Sequence, residues 1–207
     1  MKIAFDFDGT LVSCKQKQMN CLRYALSLYK IQVDLNHIWR LKQSGANTYD
    51  SLLNCGIDPI ASKHVCLKWQ ASIEDPFWAK FDNLFGGVYD LLSGYYKQGI
   101  WLYLITARSR PEWVAPQLLR LGISEFFHKI QIVSPLSATK DKAEFLTEHE
   151  IEYYFGDSEL DFWAAEKANV KFIGLSSGQR SKEFLVSKGI RHIFSNLSEF
   201  EINSLLT

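Results

Sequence analysis

The chain has 207 residues, with 23 Lys+Arg against 23 Asp+Glu, so it carries no formal net charge with His neutral. A strongly basic nucleic-acid binder, an acidic tail and a charge-driven membrane anchor all need an imbalance that is absent here. Hydrophobic residues at 47% and aromatics at 14% exclude wholesale disorder and suit one domain, or one domain with an inserted module.

The first predicted strand, Lys2–Phe7, follows Met1 directly and is interrupted by acids too early for a secretory leader, so a cytosolic address is expected. It runs into Asp6-Phe7-Asp8-Gly9-Thr10. Alternation along an extended strand places Asp6 and Asp8 on one side, with Phe5 and Phe7 on the other. Two carboxylates so close repel unless a cation joins them or one holds a proton. Gly9 permits a tight turn whose open N–H groups suit an anion.

Between Cys14 and Leu84 no strand pattern appears. Cys21, Leu22, Ala25, Leu26 and Tyr29 fall at helical spacing, a second helix is predicted over Tyr49–Cys55 between a cap at Asn47 or Thr48 and Gly56, and a third over Ile60–Ser72. The stretch therefore predicts a helical insertion. Lys42, Gly45, Asn47 and Thr48 fall in a polar turn between two of its helices, where Lys42 and Asn47 either contact a ligand or belong to an ordinary interhelical loop. Cys14, Cys21, Cys55 and Cys66 show no C-x-x-C spacing and read as buried small hydrophobes rather than disulfides.

Gly86-Gly87 returns the chain to alternation. Helices are predicted over Val88–Lys97, Pro111–Leu121, Lys142–Glu148, Leu160–Ala168, Ser181–Lys188 and Glu199–Leu206. Strands are predicted over Ile100–Thr106, Ile130–Val133, Glu152–Phe155, Lys171–Leu175 and Arg191–Phe194. This order predicts an α/β fold with a largely parallel sheet. The most apolar run, Ile100–Ile105, is far shorter than a membrane span.

Ile105-Thr106-Ala107-Arg108 ends one strand with a hydroxyl and open amides, and Arg108 there is either an anion contact or half of a surface ion pair. Lys140 and Lys142 compete for a place near the next helix start. Gly156-Asp157-Ser158-Glu159-Leu160-Asp161 follows another apolar run and puts two carboxylates four apart at a helix beginning. Carboxyl ends of strands are where open α/β sheets bind ligands. Oxygen donors without His or Cys suit Mg²⁺.

The succession Asp6-x-Asp8-Gly9-Thr10, Thr106, Lys142 and Gly156-Asp157-x-x-x-Asp161 resembles the four motifs of the haloacid dehalogenase superfamily, particularly its phosphatases, across the whole chain. The helical stretch resembles the first-type (C1) cap of the phosphoglycolate phosphatase-like branch. The resemblance implies a Rossmann-like three-layer α/β sandwich with the first strand central. It divides the chain into a core of residues 1–13 and 85–207 and a cap of residues 14–84.

It further implies that Asp6 is the nucleophile that forms an aspartyl-phosphate and that Asp8 is the general acid/base. Mg²⁺ would be held by Asp6, the Asp8 backbone carbonyl and Asp157, with Asp161 as direct or water-mediated support. Thr106, with the amides around Gly9 and Ala107, would meet phosphoryl oxygens. Lys142, preferred to Lys140 because Lys-Ala-Glu-Phe-Leu opens the helix as in related phosphatases, would neutralise charge between Asp6 and phosphate. Lys42, Asn47 and Arg108 are the specificity candidates. The implied substrate is a small phosphorylated metabolite, with no nucleic-acid or membrane partner. A phosphomutase and a catalytically idle binding module are the competing readings. The neutral total also divides: residues 14–84 hold 9 Lys+Arg and 6 Asp+Glu, the remainder 14 and 17.

Overall fold

A computed structural model describes residues 1–200. Six parallel strands form one sheet: β1 (Lys2–Phe5), β4 (Trp101–Ala107), β5 (Phe127–Val133), β6 (Tyr153–Gly156), β7 (Lys171–Leu175) and β8 (Ile193–Phe194). Their spatial order is β5-β4-β1-β6-β7-β8, so β1 is central, paired with β4 on one side and β6 on the other. The register sets Phe5 beside both Leu104 and Phe155. The chain segments leaving β1, β4 and β6 therefore emerge together at one edge.

Both faces of the sheet are covered, which is why its strands read as near-continuous apolar runs. Ile3, Phe5, Leu102, Leu104 and Phe155 point to one side and pack with Val88 and Leu92 of α6 (Val88–Lys97) and Val114 and Leu118 of α7 (Val114–Leu121). Ala4, Tyr103, Ile105 and Tyr154 point to the other, against Phe145 and Leu146 of α8 (Ala138–Glu148) and Ala164 and Ala165 of α9 (Glu159–Ala168). These three layers are the sandwich expected.

The helices between residues 14 and 82 have their own apolar cluster, built on Met19, Leu22, Leu26, Ile38, Trp39, Leu52 and Val65. They are α1 (Lys15–Ser27), α2 (Leu35–Gln43), α3 (Thr48–Asn54), α4 (Pro59–Ser72) and α5 (Pro76–Ala79). Two-residue strands β2 (Val12–Ser13) and β3 (Asn83–Leu84) pair antiparallel at the base, so the chain leaves and re-enters the α/β unit at one point.

Several details differ from the expectation. The first strand ends at Phe5 rather than Phe7, because the Phe7 carbonyl accepts from the amides of Leu11 and Val12 and turns the chain. The polar turn assigned to Lys42 is partly helix: α2 is capped by Asp34, whose side chain accepts from the Asn36 amide, and it buries Ile38 and Trp39. The segment up to Leu84 also contains strand after all, since β3 is too short for alternation to be visible. Of the helix predicted over Glu199–Leu206, Glu199 closes a 3₁₀ turn over Leu197–Glu199 and Phe200 is extended; the part beyond Phe200 lies outside the described residues.

Candidate active site

Asp6 follows β1, its amide donating to the Phe155 carbonyl at 2.8 Å. The residue is 7% exposed, and its side chain accepts from Lys142 Nζ at 2.7 Å through Oδ1. Lys142 lies on the buried face of α8 and donates also to Asp161 Oδ1 at 2.6 Å. Lys140, two residues earlier, points outward beside Glu144. A helix turns about 200° over two residues, so only one of the two lysines can face the sheet.

Asp161 is fully engaged. Besides Lys142 it accepts from Tyr154 Oη at 2.8 Å and Ser158 Oγ at 2.5 Å. Asp157, equally buried, accepts the Gln179 amide at 2.6 Å. Carboxylate oxygens of Asp6, Asp157 and Asp161 all lie within 4.8 Å of one another. Burial pushes the Asp6 carboxyl up to about 7, with Lys142 opposing and Asp161 and Asp8 adding to the rise. Burial, then Asp6 and Asp161, hold Asp157 well above the usual carboxylate range, the Gln179 amide offsetting only part of this. Burial works against the Lys142 ammonium, yet Asp161 and Asp6 outweigh it and keep the group charged. Three buried carboxyls beside one lysine cannot all ionise without excess negative charge, and an all-oxygen donor set of this kind fits a hard divalent cation.

Asp8 turns elsewhere. Once the strand ends at Phe5, alternation no longer reaches Asp8, and its Oδ1 accepts from Lys17 Nζ at 2.8 Å while Oδ2 lies against the Arg108 guanidinium. Burial would raise the Asp8 carboxyl, but Arg108 and Lys17 outweigh it and hold it at about 2. Lys17 also donates to Asp82 Oδ2 at 2.5 Å, a fully buried carboxylate that Gln117 Nε2 reaches at 2.8 Å. Arg108 Nε is buried without a hydrogen-bond partner. Gly9 occupies φ +88°, and a Cβ there would come within 2.0 Å of Asp157 Oδ2. Thr106 is 1% exposed at the end of β4, followed by Ala107.

A haloacid dehalogenase-like hydrolase model matches residues 3–175, which take in every element that carries these side chains. The chain belongs to that family. No curated protein matches it. Among solved structures, a haloacid dehalogenase-like family hydrolase from Streptococcus pneumoniae superposes with a TM-score of 0.79 at 19% identity, covering 100% of this chain and 98% of that one. A predicted phosphoglycolate phosphatase from Haemophilus somnus gives 0.72 at 20%, covering 99% and 97%. Protein Tyrosine Kinase A of Mycobacterium tuberculosis gives 0.75 at 19%, covering 100% and 98%. At these identities the likeness is one of fold.

In this haloacid dehalogenase-like hydrolase the insertion touches the strand edge through Lys17 on Asp8, and two specificity candidates separate. Asn47 is exposed and committed to capping α3, accepting from the Asp50 amide at 2.9 Å. Lys42 is 2% exposed, donates to Thr48 Oγ1 at 2.9 Å and lies 4.8 Å from the centre of the Trp69 ring. Its burial pulls the ammonium down to about 8. Sequence reading missed Lys17, Asp82, Gln117, Gln179 and Arg180. Only Asp82 and Lys17 carried a signal, as charges at the two ends of the insertion.

Proposed function

We propose that this hydrolase is a Mg²⁺-dependent phosphomonoesterase acting on a small phosphorylated metabolite, with residues 14–84 as a cap over a core of residues 1–13 and 85–207. The observation that carries this reading is Lys142 bridging Asp6 and Asp161, with Asp157 alongside, at the carboxyl edge of the central strand. A carboxylate nucleophile approaching an anionic phosphoryl group needs positive charge already in place.

In this reading Asp6 attacks phosphorus while the bond to the leaving alkoxide breaks, giving an aspartyl-phosphate. Asp8 gives a proton to the alkoxide, then takes one from the water that attacks the aspartyl-phosphate and releases inorganic phosphate. Asp6, the Asp8 backbone carbonyl and Asp157 would hold Mg²⁺, and Asp161 supports them while orienting Lys142. Bound there, Mg²⁺ supplies compensation for charge that builds on the phosphoryl oxygens. Thr106 and the amides about Gly9 and Ala107 would take those oxygens from the other side. Asp8 starts as a base, because Arg108 and Lys17 hold it ionised. To act as an acid it must first take a proton from solvent as those contacts loosen on substrate binding, and it then hands that proton to the alkoxide.

The test is phosphate release from a panel of phosphorylated metabolites with and without Mg²⁺, beside Asp6→Asn. Mg²⁺-dependent release that vanishes in Asp6→Asn supports the reading. Robust turnover by Asp6→Asn overturns it, and isomerised product with little free phosphate marks a mutase instead.

A further inference from the structure

A second element reaches the carboxylate cluster from behind. After β7 the chain crosses from the sheet to α10 (Lys182–Ser187) through residues 176–181. One face of this segment is pressed onto the site. The Gln179 amide donates to Asp157 Oδ2 at 2.6 Å, and a Cβ on Gly178 would stand 2.1 Å from the same oxygen and 2.5 Å from the Gly9 carbonyl.

The other face holds the insertion. Gln179 Oε1 accepts from Gln18 of α1 at 2.9 Å, and the Ser181 amide donates to the Gln43 carbonyl at 3.0 Å. Arg180, 8% exposed, donates through Nη1 to the Lys42 carbonyl at 2.7 Å. Its Nε and Nη2 form a paired contact with Glu159 at 2.7 and 2.9 Å, in the first turn of α9 beyond Asp157. The last carbonyls of a helix have no partner within it. In α2 the Gln43 carbonyl is satisfied by the core, and the Lys42 carbonyl, which already accepts from the Gly45 amide at 3.0 Å, gains the Arg180 guanidinium as a second donor. Close packing continues past it, since a Cβ on Gly45 would lie 2.2 Å from the Phe184 ring.

We propose that residues 178–181 act as a strap that couples seating of the insertion to the orientation of the Asp157 carboxylate, with Arg180 as its positioning residue. This rests on the cation-site reading given above. Arg180 touches neither a reacting atom nor a cation ligand. It fixes the end of α2 and the start of α9 to one guanidinium plane, and its neighbour carries the amide that selects which Asp157 oxygen is occupied. Lifting the insertion removes the bonds from Gln18, Lys42 and Gln43, frees Gln179 to move, and relaxes Asp157.

The test uses the full chain and reads Mg²⁺ binding by calorimetry together with amide hydrogen exchange, neither of which needs turnover. In Arg180→Ala, Mg²⁺ binding should weaken roughly tenfold, the scale on which partners that orient metal ligands act. The Gln179 and Ser181 amides and the last turn of α2 should exchange faster together. Arg180→Lys, which can keep one partner but not the paired geometry, should recover part of the affinity.

If wild type binds Mg²⁺ and Arg180→Ala binds it within twofold, the strap is wrong while the phosphatase reading stands. If wild type binds none, the cation reading fails, and exchange decides the strap: unchanged protection at Gln179 in Arg180→Ala overturns it. Should Arg180→Ala not fold, Gln18→Leu cuts the tie at the insertion's side alone. A shift there in both Mg²⁺ affinity and Gln179 exchange supports the coupling, and no shift in either refutes it.

Discussion

Lys17 of the insertion donates to Asp8 of the α/β unit at 2.8 Å and to buried Asp82 at 2.5 Å, so one ammonium joins the first motif to the far end of the inserted chain. Removing it strands two carboxylates. Lys17→Met should lower unfolding free energy at pH 7 by roughly 3–5 kcal/mol, the usual cost of breaking a buried pair from one side. Burial and Asp8 already raise Asp82 to about 6 against the pull of Lys17. Without Lys17 it takes up a proton more readily, so the deficit should shrink at pH 5. Urea unfolding at both pH values checks this, and Lys17→Met with Asp82→Asn should regain most of the loss at pH 7.

The two lysines of α8 should behave as opposites. Lys142→Met removes the cation shared by Asp6 and Asp161 and should cut kcat for phosphate release by about 10²–10³, the scale of one lost electrostatic contact to a transition state. Lys140→Met, at an exposed pair with Glu144, should change neither kcat nor stability beyond about 0.5 kcal/mol.

Gly9→Ala tests the turn after Asp8. The methyl would enter the space of the Asp157 carboxylate at a φ of +88°, so strain and displacement fall on the same group. Stability should drop by about 1–3 kcal/mol, and activity should drop more than stability explains. Thermal unfolding and phosphate release on the same preparation separate the two.

Lys42 should show stability and function in conflict. Burial lowers its ammonium to about 8 from 10.5. Between those values the unfolded chain binds a proton that the folded chain does not, so folding stability rises with pH across that window. Below pH 8 the full cost of roughly 3 kcal/mol is present. Lys42→Met should therefore raise stability at pH 7 by about 1–3 kcal/mol and flatten the rise between pH 8 and 10.5. If Lys42 meets the leaving group, kcat/KM falls in the same variant. Chemical denaturation against pH, with kinetics at pH 7, gives both readings.

Much of this architecture is legible in the chain. The alternation of apolar runs and helical patterns follows from a sheet covered on both faces, and the spacing of Asp6, Thr106, Lys142, Asp157 and Asp161 places each at a strand end or on a helix face. Choosing Lys142 over Lys140 rests on the likeness of Lys-Ala-Glu-Phe-Leu to the helix start of related phosphatases, whereas the helical phase that buries Lys142 and exposes Lys140 is a feature of α8 in the structure. What escaped was made by tertiary contact. Gln179 and Arg180 act across 22 and 138 residues, on Asp157 and the Lys42 carbonyl, with no local pattern to announce them, and the charge of Lys17 near the start of the insertion does not by itself point to Asp8. The extra helix α2 did have a signal, Asp34 before Ile38 and Trp39, but Asn36 and His37 weaken its helical propensity. The ribbon of β2 and β3 is too short for any periodicity.

The central position of β1 bears on how the chain folds. Its neighbours on either side enter the sequence about 100 and 150 residues later, as the pairs Ala4 with Tyr103 and Ala4 with Tyr154 show. Contacts this distant close large loops before any burial rewards them, and chains built on them fold slowly. A nascent chain that has not yet produced β6 holds Asp6 on a strand with one side unpaired and has no Asp157 to set beside it. The first strand of the sheet is thus enclosed only once β6 is made, and the chemistry it bears comes into being about 150 residues after the strand itself.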